Sequence, residues 1–584
     1  GDDGAEPITE FTEGRVTNPS ISADGRWIAF ERDFGLWRLD VATGESSPVD
    51  IHVHADEKST PVRHEAFTDR LTELDLSADG KKVAFVVHGE VFADLADKGD
   101  KVKKGGDSFR ITHTHARESQ LAWRPDSDHV VYVSDRTGHN EVFLYDFKAR
   151  EERQLTDSDE GKAAPTFSPD GKWLAYTVGK TDIRLMDTEE WTERPFIVNE
   201  RFTGVITPTD FVWAPDSQWV AYVATDANFF DNVHVQSVEE RESKQVTFLS
   251  NISCGNLLWA PDGKFLVFGT GQYREESLIA RVDLAPIAPV FAEEDFDKLF
   301  EEDEEKDKQD EDVPEHPDAA EDEDATTSDS DGASAAEEDE NENEGENGDE
   351  EEAPEPVRIE MDGIKHRVRF LTDPKAGAHA MRIRPDSKTL VYSASHTGQG
   401  NLWSVSLEEG KGGEPPKQLT SSSGGKGAVR FVKDGKRFYF LEAGRIHSCG
   451  MDEAGGREGD PKALNVRAEV EIDFHAEKMQ AFDEAWRFMN ENFYDAEFHG
   501  CDWDAARETF RAQVESARTG DEFRELLNLM VGELNASHLG AGGGGGGAPD
   551  AFLGLEFERA ELEQHGRYRI SSVLPDSPVT FAEE

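Results

Sequence analysis

The chain has 584 residues, 36% of them hydrophobic, and a formal net charge of −61. Single cores rarely exceed about 300 residues, so this length predicts several domains. The charge excludes a nucleic-acid partner, which needs clustered Lys and Arg, and no apolar run approaches the roughly 18 residues of a membrane-spanning helix.

From the N-terminus onward, one pattern recurs eight times: a small residue or Pro, then Asp-Gly or Asp-Ser, then a strand alternating toward an aromatic. The copies centre on Asp24-Gly25, Asp79-Gly80, Asp126-Ser127, Asp170-Gly171, Asp216-Ser217, Asp262-Gly263, Asp386-Ser387 and Asp434-Gly435. Pro presets one turn dihedral, and Gly tolerates positive φ, so each copy predicts a tight hairpin. A β run follows, as at Trp173-Leu174-Ala175-Tyr176. A third strand comes next, as at Glu141 to Asp146, and a fourth ends in Leu-Thr or Val-Thr, at Thr156, Thr247 and Thr420. Four strands per repeat of about 40–50 residues predict propeller blades. The repeats resemble the TolB-like and WD40-like β-propellers, which speaks to fold and not to function. The polar stretch 52–73 lacks blade-like alternation. Residues 1–51 are therefore read as the last blade of an upstream propeller, and 56–467 as a seven-bladed ring.

An insert interrupts that ring. Between Glu293 and Pro356 stand 33 acidic residues, 3 lysines and no arginine, about half of the chain's net charge. Such a run cannot bury enough apolar surface to offset its ordering entropy, so 293–357 is read as a disordered insert in the sixth blade or its connection to the next. The acidity of the rest leaves two readings, a high-salt proteome and a solvated surface. Cys254, Cys449 and Cys501 are far apart, which indicates neither a zinc site nor a disulfide framework and fits a reducing, cytoplasmic setting. The pairs His52/His54 and His113/His115 put two imidazoles on one face of a strand, but no third ligand is near, so no metal or cofactor is assigned. Phe229-Phe230 is expected to pack between blades rather than line the channel. The acidic insert lacks the fixed Asp-x-Asp-x-Asp-Gly calcium loop.

From about Ala476 the period changes. Met479, Phe482, Ala485, Trp486, Met489 and Phe493 form one helical face. A second helix is predicted around Trp503 to Ala517. A third follows Thr519-Gly520-Asp521, with Thr519 or Asp521 as cap. Taken alone, 470–540 is a small helical bundle, and a lone histidine after a helix is a structural or surface group. The run from Glu477 to Trp486, the segment Asn492-Phe493-Tyr494-Asp495, and the ending Gly532-Glu533-Leu534-Asn535-Ala536-Ser537-His538 resemble the first catalytic subdomain of the tricorn proteases and their tail-specific relatives. The resemblance implies that His538 is the general base and that Ser537 helps to orient it within a Ser-His-Ser-Glu tetrad. The chemistry requires such a base, because a serine hydroxyl is a poor nucleophile at neutral pH and an imidazole can take its proton and return it.

Six glycines, 542–547, sit in a segment read as a flexible linker over 541–550. Phe552-Leu553-Gly554-Leu555-Glu556-Phe557 resembles the carboxylate-binding loop and first strand of protease-type PDZ domains. It implies that Leu553, Gly554 and Leu555 seat a peptide terminus. Tyr568-Arg569-Ile570 and Val573-Leu574-Pro575-Asp576-Ser577-Pro578 resemble the following strand and the V-x-P-x-S-P segment. A PDZ domain is thus expected to begin at 551 and to be cut at 584, before the family's second catalytic subdomain with its nucleophilic serine, oxyanion donors and glutamate. The first residue is Gly1 rather than Met, so the absence of a leader is uninformative.

The expected fold is mainly β: a seven-bladed propeller, preceded by one blade of another and followed by a small helical subdomain and a partial PDZ domain. The expected function is part of a serine endopeptidase acting on peptides, with the propeller as substrate channel, inactive as this piece alone. The resemblance also implies a homo-oligomer, a hexamer in the family. The alternative is a non-catalytic TolB-like scaffold. A propeller-capped prolyl oligopeptidase would need a Gly-x-Ser-x-Gly elbow, which this chain lacks.

Overall fold

The computed structural model describes residues 7–11, 15–32, 34–51, 62–97, 107–198, 210–240, 242–272, 277–287, 355–372, 377–408, 414–542, 555–558 and 569–573. The chain divides into two compact units, 1–61 and 62–584. The first holds one four-stranded antiparallel sheet built from Val16–Ile21, Trp27–Arg32, Gly35–Asp40 and Ser46–Pro48. Phe30 and Leu39 are its buried side chains.

The second unit contains seven four-stranded sheets, each a meander in sequence order. Blade 1 opens at Leu71–Leu76, blade 2 at Glu118–Trp123, blade 3 at Lys162–Phe167, blade 4 at Phe211–Trp213, blade 5 at Ser253–Trp259, blade 6 at His379–Ile383 and blade 7 at Lys426–Phe431. The second strand of every blade carries a fully buried aromatic at one register position: Phe85, Tyr132, Tyr176, Tyr222, Phe268, Tyr392 and Phe440. Each such ring contributes about 1.5–3 kcal/mol of burial. Seven apolar clusters lie between successive blades, the seventh joining blade 7 back to blade 1. The sheets therefore form a closed ring.

The Leu-Thr and Val-Thr endings have a structural duty. The hydroxyl of Thr156 accepts from the Val142 N–H at 2.9 Å and donates to the buried Glu141 carboxylate. Thr112, Thr247 and Thr420 repeat this, with Glu90, Asn232 and Asn401 as acceptors. Backbone and side-chain polar groups that strand pairing leaves over are thus satisfied inside the blade. The Asp-Gly and Asp-Ser turns alternate around the ring. In even blades Ser127, Ser217 and Ser387 adopt φ of 60°, 59° and 62°. Each accepts a hydrogen bond from the turn Asp of the preceding blade, Asp79, Asp170 and Asp262, at 3.0, 3.1 and 2.9 Å.

The insert interrupts the fifth blade, not the sixth. Val368–Phe370 returns from it to pair with Leu278–Asp283 and supplies the fourth strand of the blade that began at Ser253. A three-residue edge strand carries too little alternation to be recognised in the sequence. Most of the acidic run, 288–354, lies outside the described residues.

The seam of the ring sets the position of everything downstream. Tyr439 Oη donates to the Ala96 carbonyl at 2.9 Å, and the Leu71 N–H to the Gly444 carbonyl at 3.0 Å. Val62–Phe67, entering the ring, pairs antiparallel with Ala468–Asp473, leaving it. Val466, Ala468, Val470 and Ile472 are buried with Phe67 in the seam cluster. That two-stranded ribbon runs directly into the first helix. Helix α1 spans Phe474–Asn492, α2 Trp503–Ser516 and α3 Gly520–Gly532. Among the described residues no helix is long and apolar enough to cross a membrane.

Candidate active site

The helical subdomain is assembled from two faces of α1. Met479, Phe482, Ala485, Trp486 and Met489 pack with Trp503, Phe510 and Val514 of α2, Met530 of α3, and Leu534. The indoles of Trp486 and Trp503 each donate to the other's backbone carbonyl, at 3.0 and 3.2 Å. Caps set the helix starts. Asp473 accepts from the His475 and Ala476 N–H groups, and Asp502 from the Ala505 N–H. Thr519 and Glu522 form a reciprocal capping box, so Thr519 and not Asp521 is the cap. Lys478 is buried on α1, and its ammonium donates to the Glu515 carbonyl at 2.7 Å and to that of Ala517, closing the C-terminus of α2. Burial pushes its pKa down.

The other face of α1 is charged and docks on the propeller. Glu477, Glu484, Arg487 and Glu491 recur at helical spacing. His88 donates through Nε2 to Glu477 at 2.9 Å, Arg117 pairs with Glu484 at 3.0 Å, and Arg487 meets the buried Asp135 at 2.7 Å. His139 approaches Glu491 at 3.4 Å, and Lys180 donates to the Glu491 carbonyl at 3.0 Å. These partners come from blades 1, 2 and 3, so the subdomain is strapped across the ring by ion pairs rather than by apolar burial. The hydrogen bond and charge of Glu477 raise the His88 pKa above its ordinary value.

After α3 the chain turns sharply. Asn535 has φ 47° and His538 φ 63°, a left-handed backbone uncommon for side chains other than Gly. The loop is fastened at both ends. Leu534 is buried in the helical core, and its carbonyl accepts from Nδ1 of His499 at 2.9 Å. Tyr494 Oη bonds Nε2 of the same ring at 2.5 Å. At the far end the Asn528 side chain grips Ala541 twice, accepting its N–H at 2.8 Å and donating to its carbonyl at 3.0 Å. Between these clamps Ser537 and His538 are both exposed. Among the described residues no group hydrogen-bonds the His538 ring, Ser537 included. His499 and Asn528 carried no signal in the sequence, because their partners are backbone atoms brought near only by the bundle.

Leu553 and Gly554 lie outside the described residues. Leu555 opens the strand Leu555–Phe557, which pairs antiparallel with Ile570–Val573. His52 and His54 also lie outside. His113 and His115 are exposed in an irregular segment after the strand ends at Arg110, not on a strand face. Among the described residues no three metal-ligating side chains converge. Phe229 does not pack between blades: it is 70% exposed at the tip of a blade 4 hairpin, where Asp226 accepts from the Asn228 and Phe230 N–H groups. All three cysteines are free thiols.

Comparison with known proteins gives the following. The tricorn protease C1 domain matches residues 474–532, which covers α1 to α3 and stops short of Ser537 and His538. The lipoprotein LpqB β-propeller domain matches 1–151. Tricorn protease homolog 1 of Streptomyces coelicolor is 34% identical over 149 residues, 24% of this chain and 14% of that protein. The tricorn protease homolog of Saccharolobus solfataricus is 21% identical over 263 residues, 44% of this chain and 22% of that protein. The crystal structure of the tricorn protease superposes with a TM-score of 0.61 at 15% identity, covering 92% of this chain and 48% of that one. The chain thus spans less than half the length of these relatives. Its helical subdomain is thus similar to the tricorn protease C1 domain, and its shared sequence segments are similar to those of tricorn protease homologs.

Proposed function

We propose that this chain forms part of a serine-type peptidase in which His538 is the general base. The observation that carries the reading is the exposed imidazole on a loop clamped at Leu534 and Ala541, directly after the tricorn C1 segment. An imidazole on a loop so fastened is open to an incoming hydroxyl, and the loop ends need no further ordering at the moment of reaction. Ser537 acts on the ring once the cleft is completed. The nucleophilic serine comes from residues other than those described, since no described serine hydrogen-bonds the His538 ring. Leu553, Gly554 and Leu555 belong to a PDZ-type strand and loop that seat a peptide end. The propeller channel admits peptides, several copies assemble, and the free thiols suit a reducing, cytoplasmic compartment.

The test is hydrolysis of a fluorogenic peptide library by the complete protein. His538→Ala should lower kcat at least ~10³-fold, as loss of a catalytic base does elsewhere. Undiminished turnover in that variant would refute the assignment. A complete protein with no serine accessible to a fluorophosphonate probe would instead favour a binding scaffold.

A further inference from the structure

Helix α3 ends on a side chain from another element. Its last turn tightens: the Leu534 N–H donates to the Val531 carbonyl at 3.2 Å and the Asn535 N–H to that of Gly532 at 3.0 Å, three residues back in each case. In a longer α-helix the Leu534 carbonyl would accept from the N–H of His538, four residues on. Here it accepts at 2.9 Å from Nδ1 of His499, which belongs to the linker between α1 and α2.

That contact fixes the tautomer of the ring. A carbonyl can only accept, so Nδ1 carries the proton, and Nε2 of the neutral imidazole is an acceptor. Tyr494 Oη, 2.5 Å from Nε2, is then the donor. The ring also lies edge-on to Phe493, with centroids 5.3 Å apart. Phe493 stacks on Phe498, and Phe498 on the buried Trp503, at 5.7 and 6.1 Å. His499 thus connects the aromatic core of the bundle to the end of α3.

The linker is strained where it aims this ring. Phe498 and His499 have φ of 49° and 55°, and Gly500 has φ 80°, three left-handed residues in succession. Only the glycine takes that backbone without a steric penalty. The Asp495 carboxylate holds the turn, accepting from the Glu497 N–H at 3.1 Å and from the His499 N–H at 2.9 Å. Strained backbone of this kind persists where its surroundings over-determine it, and it gathers where a site has to be placed.

We propose that His499 is a positioning residue for the base: by capping the Leu534 carbonyl it stops the helix there and turns the chain so that Ser537 and His538 stand clear of α3. The role of His538 in this statement rests on the peptidase reading above, whereas the cap itself does not.

Nitrogen NMR of the histidine rings should show the proton of neutral His499 on Nδ1, and a proton on Nε2 would overturn the cap. His499→Gly relaxes the left-handed backbone and removes the donor. Amide exchange at residues 535–538 should then accelerate about 10-fold while α1 and α2 keep their protection, the scale of one lost hydrogen bond. His499→Asn keeps an N–H donor one bond beyond Cγ, tolerates positive φ and should restore slow exchange. In the complete protein acting on fluorogenic peptides, His499→Gly should lower kcat about 10-fold with KM unchanged, and His499→Asn should recover most of it. Tyr494→Phe, which unpins the tautomer, should fall between the two. Unchanged exchange in His499→Gly would overturn the proposal. So would a wild-type kcat in His499→Gly beside an inactive His538→Ala, which would leave the base assignment standing. Exchange that follows the donor at position 499, in a protein that His538→Ala does not impair, would support the cap and remove the base.

Discussion

At Asn528 a single side chain uses both amide donors and its carbonyl. It holds the Arg524 carbonyl of its own helix at 2.9 Å and both backbone groups of Ala541. The loop bearing His538 is otherwise exposed, so these contacts fix where it returns to the bundle. Asn528→Ala should free residues 535–541, costing the loop about 1–2 kcal/mol of local order for two lost hydrogen bonds. Hydrogen exchange there should accelerate about 5- to 30-fold while α1 and α2 keep their protection. Asn528→Asp should do at least as much, because a carboxylate would face the Ala541 carbonyl. If exchange in the loop is unchanged, Asn528 is not what orders it. None of this was legible in the sequence. The Ser-His ending stood out by resemblance, while the residues that hold the loop show only when α3 and the 493–502 linker converge on it.

Among the elements, α1 shows how much periodicity reveals and where it stops. Its apolar face was legible from residues 479 to 493, and the core forms on that face. The opposite face reads as a solvated charged stripe in the sequence, yet in the structure it is the docking surface on blades 1 to 3. The His88–Glu477 pair gives this docking a pH dependence whose sign is fixed. A histidine whose pKa is raised on docking contributes fully below its ordinary value of about 6.5, and the contribution is lost as pH rises through the raised value. Tryptophan fluorescence of the helical subdomain, through Trp486 and Trp503, should therefore report weaker docking at pH 8 than at pH 6 in low-salt denaturant titrations. His88→Gln should flatten that difference, and salt should weaken docking in both proteins. A pH difference of the same size in the variant would show that this pair does not carry it.

For the whole molecule, closure is the deciding event. The ring shuts where blade 7 meets blade 1, and there Gly444 has φ 73° with its carbonyl accepting from Leu71 N–H. A Cβ at this site would stand 2.6 Å from the Arg70 backbone nitrogen and 2.8 Å from its Cα. Backbone cannot move aside as a flexible side chain can. Gly444→Ala should cost about 2–4 kcal/mol, from left-handed strain and overpacking together. Chemical denaturation should show an earlier midpoint, and because the ribbon Val62–Phe67 with Ala468–Asp473 starts at this seam, the helical subdomain should loosen with it. A midpoint equal to wild type would mean that the seam tolerates opening. At Gly25, in the hairpin turn of the first unit, no atom stands within 4 Å of that position.

The sequence by itself determined the blades, their number and the three helices, because these depend on local turn chemistry and on periods of two and 3.6 that each segment carries alone. It also marked the end of the helical subdomain through a resemblance. Tertiary structure alone decided that the acidic insert splits blade 5, that α1 docks by its charged face, and that two side chains clamp the histidine loop. Each of these is a relation between residues distant along the chain, and no local pattern encodes the partner a side chain meets only after the ring has closed.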